Sequence, residues 1–420
     1  MSVKKIETQK FVKKKFSEYY QKHLSSIQPP TLIEKREFGF LMFKGKVMVR
    51  HQSFKDVNGL TKSLKTLVPS DAYYSSAYYE RPEEKMEEKS WLGADLVFDI
   101  DADHIPTSCA KIHDTWACSN CGIVGKGVLP EECPACGEHK FDEKTWPCEV
   151  CLESAKNETV KLIDMLKQDF GFSSKETNLY FSGHRGYHVH VENEEIQLLD
   201  SMARKEIVDY IIGIGLETRL HGLIEEKLDQ SRTHILTGPN LEEPGWSGRI
   251  ARGTYEFLST ATTSDLEEIG LKKKVIETLI QRKETVVESW KEKVPWGLIK
   301  GVDHASWRKI AQHGAEMQSA KIDTVVTTDT HRLIRLNNTL HGKTGLKKME
   351  VPVTGFESFD PFKSAIAFKE GTLKIIVQDA PKFRLEDQTY GPYKNQQVEL
   401  PTAAALLLLC KGMAKVKEDK

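Results

Sequence analysis

The segment GADLVFDIDADH, from Gly93 to His104, places aspartates inside an otherwise apolar run. Side chains alternate faces along a β-strand, so the large apolar residues are expected on a buried face and the acids on the opposite face. The apolar set is Leu96, Phe98 and Ile100, and the acidic set is Asp95, Asp99 and Asp101. The strand therefore predicts a core on one side and a group of carboxylates on the other.

Asp99 and Asp101 lie two positions apart, which separates their Cα atoms by about 6.5–7 Å on one face. Two uncompensated carboxylates at that spacing raise each other's pKa. A bound Mg²⁺ or Mn²⁺ removes this cost, since both ions prefer hard oxygen ligands. The alternative is that these are water-facing acids at a strand end or in a loop, or N-caps of the segment that follows, and the D-x-D pattern alone favours that alternative.

The composition is that of a globular protein with a substantial core. The 420 residues are 39% hydrophobic and 29% charged, which suits one large domain or two to three smaller ones. With 60 basic and 61 acidic residues, nucleic-acid binding would need local clusters of Lys and Arg. No run approaches the roughly 20 apolar residues of a membrane span, and the N-terminus has no apolar signal core. A cytoplasmic protein is expected.

Strands and helices follow one another irregularly, which predicts an α+β fold of mixed sheets flanked by helices. The main expected elements are a helix over 5–28, a hairpin over 36–54, a strand–turn–strand over 177–193, strand and loop over 321–345, and short strands at 365–368 and 372–378 before a closing helix. The predicted catalytic core comprises 1–108, 152–196 and 300–420. Residues 109–151 are expected to form a zinc-binding insertion, and 197–299 a mainly helical one.

The segment FSGHRGYHVHV, Phe181 to Val191, predicts a turn between two strands, because Gly183 and Gly186 permit tight backbone conformations. Its side chains offer several hydrogen-bond donors for phosphate oxygens, and an arginine can donate in a fork. These donors are Ser182, His184, Arg185 and His188. The alternative is a polar hairpin whose cations face water.

A third segment, DTVVTTDTHRLIRLNNTLHGKTG, combines acids with a group of cations that suits a triphosphate. The cations are Arg332, Arg335, His341 and Lys343, and the acids upstream are Asp323 and Asp329. One acid would supply a third metal ligand, although a single arginine of this kind is more often a surface ion-pair partner. Together the three segments fit metal-dependent phosphoryl or nucleotidyl transfer.

Seven of the eight cysteines fall between Cys109 and Cys151, as three C-x-x-C pairs and one C-x-x-x-H. In an intracellular chain this spacing indicates zinc rather than disulfides. Two C-x-x-C-G knuckles separated by eleven residues are typical of a zinc ribbon with four cysteine ligands. Those ligands are Cys118, Cys121, Cys133 and Cys136.

The segments DLVFDIDADH, SGHRGYHVHV, DTHRLIRLNNTLHGKTG and the early REFGF…SSAYYERP occur in an order that resembles the catalytic small subunit of archaeal and eukaryotic DNA primase, in its archaeal form. The resemblance covers about residues 11–370. It implies metal-binding catalytic carboxylates at Asp99, Asp101 and Asp323, with Asp95 supporting them and Asp329 as the competing third position. It implies a zinc knuckle of Cys109, His113, Cys148 and Cys151, and hence two structural zinc sites. The nucleotide-binding residues that the resemblance implies are Ser182, Arg185, His188, Arg335, His341 and Arg36, and from the residue pattern we expect His184 and Arg332 at the same site.

The same resemblance implies two-metal nucleotidyl transfer with Mg²⁺ or Mn²⁺. The expected activity is template-directed de novo synthesis of short RNA primers on single-stranded DNA from nucleoside triphosphates, with DNA primers as an open alternative. The expected partner is a large subunit carrying an iron–sulfur cluster. Rival hypotheses are a primase-polymerase for repair or bypass, a non-catalytic zinc-ribbon nucleic-acid-binding protein, and a two-metal phosphohydrolase.

Overall fold

The computed structural model describes residues 3–127, 129–227, 234–291, 296–297 and 299–417. The chain divides into two units, of which the first comprises Met1–Thr159, Ser174–Lys205 and Ile322–Lys420. The second comprises Val160–Ser173 and Glu206–Lys321. The three-part organisation expected from the sequence stays a prediction. Residues 1–2, 128, 228–233, 292–295, 298 and 418–420 of its predicted ranges lie outside the described residues.

Helices occur along the whole described chain. The α-helices are α1 Val3–Lys22, α2 Val57–Leu67, α3 Ala110–His113, α4 Glu149–Gln168, α5 Glu194–Gln197, α6 Ser201–Ile212, α7 Gly245–Thr260, α8 Thr263–Glu268, α9 Lys273–Gln281, α10 Lys283–Lys291, α11 His304–Gln318, α12 Thr324–Thr328, α13 Pro361–Ser364 and α14 Thr402–Cys410. Short 3₁₀ turns lie at Leu24–Ser26, Ile33–Lys35, Met86–Glu88, Ala102–His104, Thr218–His221 and Phe356–Ser358.

The strands form several small antiparallel sheets. They are β1 Phe38–Leu41, β2 Met48–Gln52, β3 Asp71–Ser75, β4 Ala77–Tyr79, β5 Trp91–Ala94, β6 Leu96–Asp101, β7 Thr115–Cys118, β8 Val124–Lys126, β9 Phe141–Lys144, β10 Thr177–Phe181, β11 Gly186–Val191, β12 Ile224–Lys227, β13 His234–Thr237, β14 Leu333–Arg335, β15 Met349–Val351, β16 Thr372–Ala380, β17 Phe383–Leu385, β18 Gln388–Tyr390, β19 Tyr393–Pro401 and β20 Ala414–Val416. The α+β fold class predicted from the sequence is confirmed.

Two four-stranded sheets of the first unit carry the polar segments identified in the sequence. One has the order β15-β10-β11-β6, and the other has the order β14-β3-β1-β2. In β6, Leu96, Phe98 and Ile100 are completely buried, which confirms the expected core face. Val97 on the acidic face is also buried, because it packs with Val326 of α12 and Ile334 of β14. Helix α12 therefore covers part of the face that bears the aspartates.

The cysteine-rich segment folds as a small three-stranded sheet in the order β8-β7-β9 beside the short helix α3. The Trp116 ring packs edge-on against Phe141, with their centroids 5.4 Å apart. This is a small apolar contact for an entire module, so metal ligation is the expected source of its remaining stability.

The second unit is mainly helical but also contains the β12–β13 hairpin. Helices α7 and α11 approach closely at Gly253 and Gly314, where an added Cβ on either residue would overlap the backbone of the other helix. Trp307 and Ile310 of α11 are completely buried in this unit. Within the described ranges, no helix of either unit is both long and apolar enough to cross a lipid bilayer.

Three local predictions were wrong. The N-terminal helix ends at Lys22 rather than near residue 28, and the Ser26 hydroxyl then donates to the His23 carbonyl at 2.7 Å, a local bond that competes with helix. The segment 324–328, expected in strand and loop, is helix α12. Residues 365–368 form no strand, since the turn of α13 runs directly into them.

Candidate active site

Antiparallel pairing of β6 with β11 brings the acidic strand against the histidine strand. Asp99 lies directly opposite His188, and Asp101 lies opposite Gly186. Directly opposed residues project from the same face of a sheet, and His188 Nε2 lies 3.5 Å from Asp99 Oδ1. Two segments that the sequence separates by almost ninety positions therefore meet at one site.

The turn between β10 and β11 is pressed closely against its neighbours. An added Cβ on Gly186 would overlap the Ile100 carbonyl oxygen, so only glycine fits beside β6. Gly183 has a φ of +87°, a conformation that favours glycine, and its Cβ position lies 3.0 Å from the side chain of His341. The backbone itself thus fixes His184 and Arg185 between the acidic strand and the His341 loop.

Asp323 lies beside Asp99. Its backbone N–H donates to the Asp99 carbonyl at 2.8 Å, and its carboxylate caps α12 by accepting from the Val325 N–H at 3.0 Å. Asp329 lies at the opposite end of α12, where its carboxylate accepts from the His331 N–H at 2.9 Å. The fold therefore brings Asp323, and not Asp329, to the two strand aspartates.

Burial, followed by the charges of Asp101 and Asp323, raises the pKa of the Asp99 carboxyl to about 7. Arg332 and Lys348 act in the opposite direction but do not offset this rise. Among the described residues, only two cysteine-containing groups gather three or more ligand atoms within 4.8 Å of one another, so the aspartates are adjacent without converging on one point. Mutually repelling hard oxygen ligands of this kind fit a divalent cation such as Mg²⁺ or Mn²⁺.

Arg185 is 2% exposed and faces three acids. Its Nη1 donates to Asp114 Oδ2 at 2.7 Å, its other terminal nitrogen pairs with Asp103, and its Nε lies 3.7 Å from Asp101 Oδ1. Nε is buried and has no hydrogen-bond partner among the described residues. The guanidinium is thus held in place at the edge of the carboxylate group, with its Nε–H still available.

The histidines of the site are held neutral. The rings of His184 and His341 stack with their centroids 5.1 Å apart. Burial and then the charge of Lys411 hold the pKa of His184 well below its usual value, and burial and then Arg335 do the same for His341. Burial and then Lys348 likewise lower the pKa of His188. A neutral imidazole can donate to or accept from a phosphate, and it adds no charge to a crowded cluster.

The remaining predicted cations lie on β14 and the turn before it. Arg335 is 8% exposed and pairs through Nη1 with Asp71, which also accepts from the Gly342 N–H at 2.9 Å. The charge of Arg332 lowers the pKa of both Asp99 and His188. Ser182, which is buried, accepts from the His184 N–H at 3.3 Å. All of these groups belong to the first unit.

The cysteines form the two groups expected from the sequence. One consists of Cys109, His113, Cys148 and Cys151, and the other of Cys118, Cys121, Cys133 and Cys136. In the second group, Cys118–Cys136 and Cys121–Cys133 have Sγ atoms 3.6 Å apart. Four sulfurs bound tetrahedrally at about 2.3 Å from zinc lie roughly 3.8 Å apart. Both groups therefore fit zinc, and neither exchanges a ligand with the other.

Comparisons with known proteins show the family to which the chain belongs. Residues 138–354, just over half of the chain, match the family model described as DNA primase small subunit. The chain belongs to the DNA primase small subunit family. It is 34% identical over 415 residues to the DNA primase small subunit PriS of Archaeoglobus fulgidus, which covers 97% of this chain and 98% of that protein. It is 31% identical over 407 residues to the PriS of Nitrosopumilus maritimus, with 97% and 98% covered.

Arg36 of this primase small subunit lies apart from the other predicted nucleotide-binding residues. It is completely buried, and all five of its N–H groups donate hydrogen bonds. Nε and Nη2 donate to Thr31, and Nη2 also donates to Asp95 at 2.6 Å. Nη1 donates to the carbonyls of Ser75 and Ser76. These contacts favour a structural role that fixes Asp95 directly before the acidic strand β6. A nucleotide contact for Arg36 stays a prediction.

Three charged residues of the primase site were not identified from the sequence. Asp71 accepts from Arg335, and Lys348 is completely buried with its Nζ donating to the Arg335 carbonyl at 2.8 Å. Lys411, just after α14, has its Nζ 2.6 Å from His184 Nε2, and burial and then Lys343 lower its pKa to about 7. In a chain with 60 basic residues, no local pattern distinguishes these lysines from surface ones.

Proposed function

We propose that this DNA primase small subunit synthesises short primers de novo on single-stranded DNA by Mg²⁺- or Mn²⁺-dependent nucleotidyl transfer. The observation that carries the proposal is the meeting of Asp99 with His188 across the β6–β11 pair and with Asp323 at the free edge of β6. Carboxylates for metal ions and neutral histidines for a phosphate are thus fixed by backbone hydrogen bonds rather than by flexible loops. Family membership makes the chain a nucleotidyltransferase and the catalytic subunit of a primase.

In this proposal Asp99, Asp101 and Asp323 hold the divalent ions. Divalent ions held by these carboxylates would supply a lowered pKa for an attacking 3′-hydroxyl and neutralisation of charge on a departing pyrophosphate. The protein contributes position: β6 separates Asp99 from Asp101, and the cap of α12 orients Asp323. Because the raised pKa of Asp99 reflects burial and repulsion, binding of a cation also restores its ionised form.

The triphosphate is proposed to lie against the donors of the β10–β11 turn and the cations of the β14 region. The predicted contacts are Ser182, His184, Arg185, His188, Arg332, Arg335 and His341, to which we add Lys343 and Lys411. Support comes from the unpartnered Nε of Arg185 and Nδ1 of His188, both buried among the described residues. Buried donors without partners are costly unless a ligand satisfies them.

Two zinc ions are proposed to stabilise the cysteine-rich segment, one at each group of ligands. The proposed metal-binding and nucleotide-binding residues all lie in the first unit. Membership of a small-subunit family implies a large subunit and a DNA template. We also propose that the large subunit carries an iron–sulfur cluster. The enzyme is proposed to act in the cytoplasm and to make RNA rather than DNA.

The proposal is tested by incubating the chain with single-stranded DNA, nucleoside triphosphates and Mg²⁺ or Mn²⁺ in the absence of any primer. Short products complementary to the template are expected, and they should disappear in Asp99→Ala and in Asp101→Ala. Asp387→Ala is the matched control, because the Asp387 side chain is 82% exposed and pairs with the exposed Lys363. Synthesis that survives both active-site substitutions would refute the assignment of the carboxylates.

The same assay distinguishes the rival activities. A two-metal phosphohydrolase would release phosphate without a template, and a non-catalytic zinc-ribbon protein would bind DNA with or without the aspartates. A primase-polymerase for repair or bypass would extend a supplied primer much faster than it starts a new one. Comparison of primed with unprimed template therefore separates it from a replicative primase.

A further inference from the structure

Asp114 links a group of zinc-ligating side chains to an arginine of the candidate active site. It follows His113 directly at the end of α3 and is 7% exposed. Its Oδ1 lies 2.7 Å from His113 Nδ1, and the same oxygen accepts from the Trp146 N–H at 3.0 Å. Its Oδ2 accepts from Arg185 Nη1 at 2.7 Å. One carboxylate therefore contacts both sites.

The orientation of His113 determines what Asp114 can do. His113 Nε2 lies 3.2 Å from Cys148 Sγ and 3.6 Å from Cys151 Sγ, so this nitrogen faces the sulfur ligands. Nδ1 faces the carboxylate instead. A histidine that ligates a metal through one nitrogen commonly donates its other N–H to a carboxylate, which fixes the tautomer and the ring plane. The His113–Asp114 contact has this geometry.

Arg185 is constrained from the opposite side. It contacts Asp103 and approaches Asp101, while the adjacent Gly186 is packed against the Ile100 carbonyl. Without Asp114, the guanidinium would be left with acids only on the side of the proposed metal ligands. Its orientation would then be set by Asp103 and Asp101 alone, and Asp101 already lies 3.7 Å from the Nε. Asp114 thus balances the pull of Asp101 and Asp103.

We propose that Asp114 is a positioning residue that orients Arg185 for nucleotide binding, and that His113 of the zinc knuckle supports Asp114 in this role. The inference rests on the proposed function, in which Arg185 contacts the triphosphate. It assigns the knuckle a part in substrate affinity in addition to the stability of its own segment. The knuckle would be coupled to the active site through a chain of three side chains, His113, Asp114 and Arg185.

The test is equilibrium binding of a fluorescent nucleoside triphosphate in the presence of Mn²⁺, with zinc content measured on every sample. Asp114→Asn keeps the shape of the side chain and removes its charge. The expected result is about 10-fold or more weaker nucleotide binding, the range typical of a lost outer partner, with two zinc ions retained per chain. In primer synthesis, KM for the nucleotide should rise much more than kcat falls. Asp142→Asn, an exposed acid on β9 of the same segment, is the control and should bind normally.

A double substitution separates positioning from a merely structural effect. If Asp114 acts through Arg185, Asp114→Asn should add nothing in an Arg185→Ala background. Losses that multiply would overturn the inference, as would normal nucleotide binding by Asp114→Asn when Arg185→Ala binds weakly. Normal binding by Arg185→Ala itself would instead show that the proposed function misassigns Arg185.

A second variant tests the part played by the zinc ligand. His113→Cys keeps four ligands for zinc but removes the ring nitrogen that faces Asp114. We expect two zinc ions per chain and nucleotide binding weakened about 3-fold or more, less than for Asp114→Asn because the Trp146 N–H still holds the carboxylate. Unchanged nucleotide affinity in a fully zinc-loaded His113→Cys protein would overturn the link between knuckle and active site.

Discussion

The ionisation of Asp99 should make the metal-free protein less stable at alkaline pH, and Asp99→Asn should remove this effect. Burial and the nearby charges of Asp101 and Asp323 raise the pKa of the folded carboxyl from 3.8 to about 7. A carboxyl whose folded pKa is raised holds its proton more tightly in the folded chain. Its favourable contribution is therefore complete below pH 3.8 and is lost as the pH rises through 7.

The size of the effect follows from the interval between the two pKa values. Each pH unit of that interval corresponds to about 1.4 kcal/mol, so 3.8 to about 7 sets an upper limit of about 4 kcal/mol. The Asp99 carboxylate is 28% exposed, and water screens part of this cost. We expect Asp99→Asn to gain about 2 kcal/mol in free energy of unfolding at pH 8, and about 1 kcal/mol less than that at pH 5.5.

The assay is denaturant unfolding of zinc-loaded protein at pH 5.5 and pH 8, without added Mg²⁺ or Mn²⁺ and without a chelator that would remove zinc. Asp387→Asn is the control, since its carboxylate is 82% exposed and should change stability by less than about 0.5 kcal/mol. Saturating Mn²⁺ should stabilise the wild-type protein and affect Asp99→Asn much less. The electrostatic account of Asp99 would be refuted if Asp99→Asn did not raise the free energy of unfolding, or raised it equally at both pH values.

Three further predictions concern the other parts of the site. Asp323→Ala should abolish primer synthesis while Asp329→Ala retains most of it, and the opposite result would move the third carboxylate to Asp329. Cys121→Ser should lower the zinc content from two ions to one per chain, measured by mass spectrometry, and no change would exclude the Cys₄ site. Lys411→Met should raise the KM for nucleotide by about 10-fold, as expected for a lost charged contact, and a change confined to kcat would contradict its proposed role at the triphosphate.

Local sequence patterns predicted the acidic strand and the turn beside it well, because alternation and paired glycines are local properties. They failed at 324–328, where the β-branched run TVVTT favours strand. The Asp323 side chain caps the first turn of a helix there instead, at 3.0 Å from the Val325 N–H. The same aspartate is the proposed third metal ligand, so the missed helix is also the element that orients it.

Residues that act through tertiary contacts could not be found in this way. Asp114 follows the C-x-x-x-H motif, but the sequence does not show that its second oxygen meets Arg185, which lies 71 positions further along the chain. Lys411 and His184 are 227 positions apart and still meet at 2.6 Å. Arg36 lies within a recognisable motif, but the motif alone does not show that every donor of its side chain is bonded inside the protein.

The charges of the candidate active site are arranged so that nucleotide and metal ions should bind together. Burial raises the pKa of Asp99 and lowers that of Lys411, each to about 7, so an acid resists ionisation and a lysine resists protonation in the same unit. After burial, Asp101 and Asp323 raise the pKa of Asp99, and Lys343 and Arg185 lower that of Lys411. A triphosphate with its divalent ions brings cations to the aspartates and anionic oxygens to the lysine at once. Divalent ions alone would favour ionised Asp99 but oppose the protonation of Lys411, and a triphosphate alone would do the reverse. The affinity for nucleotide should therefore depend steeply on the concentration of the divalent ion.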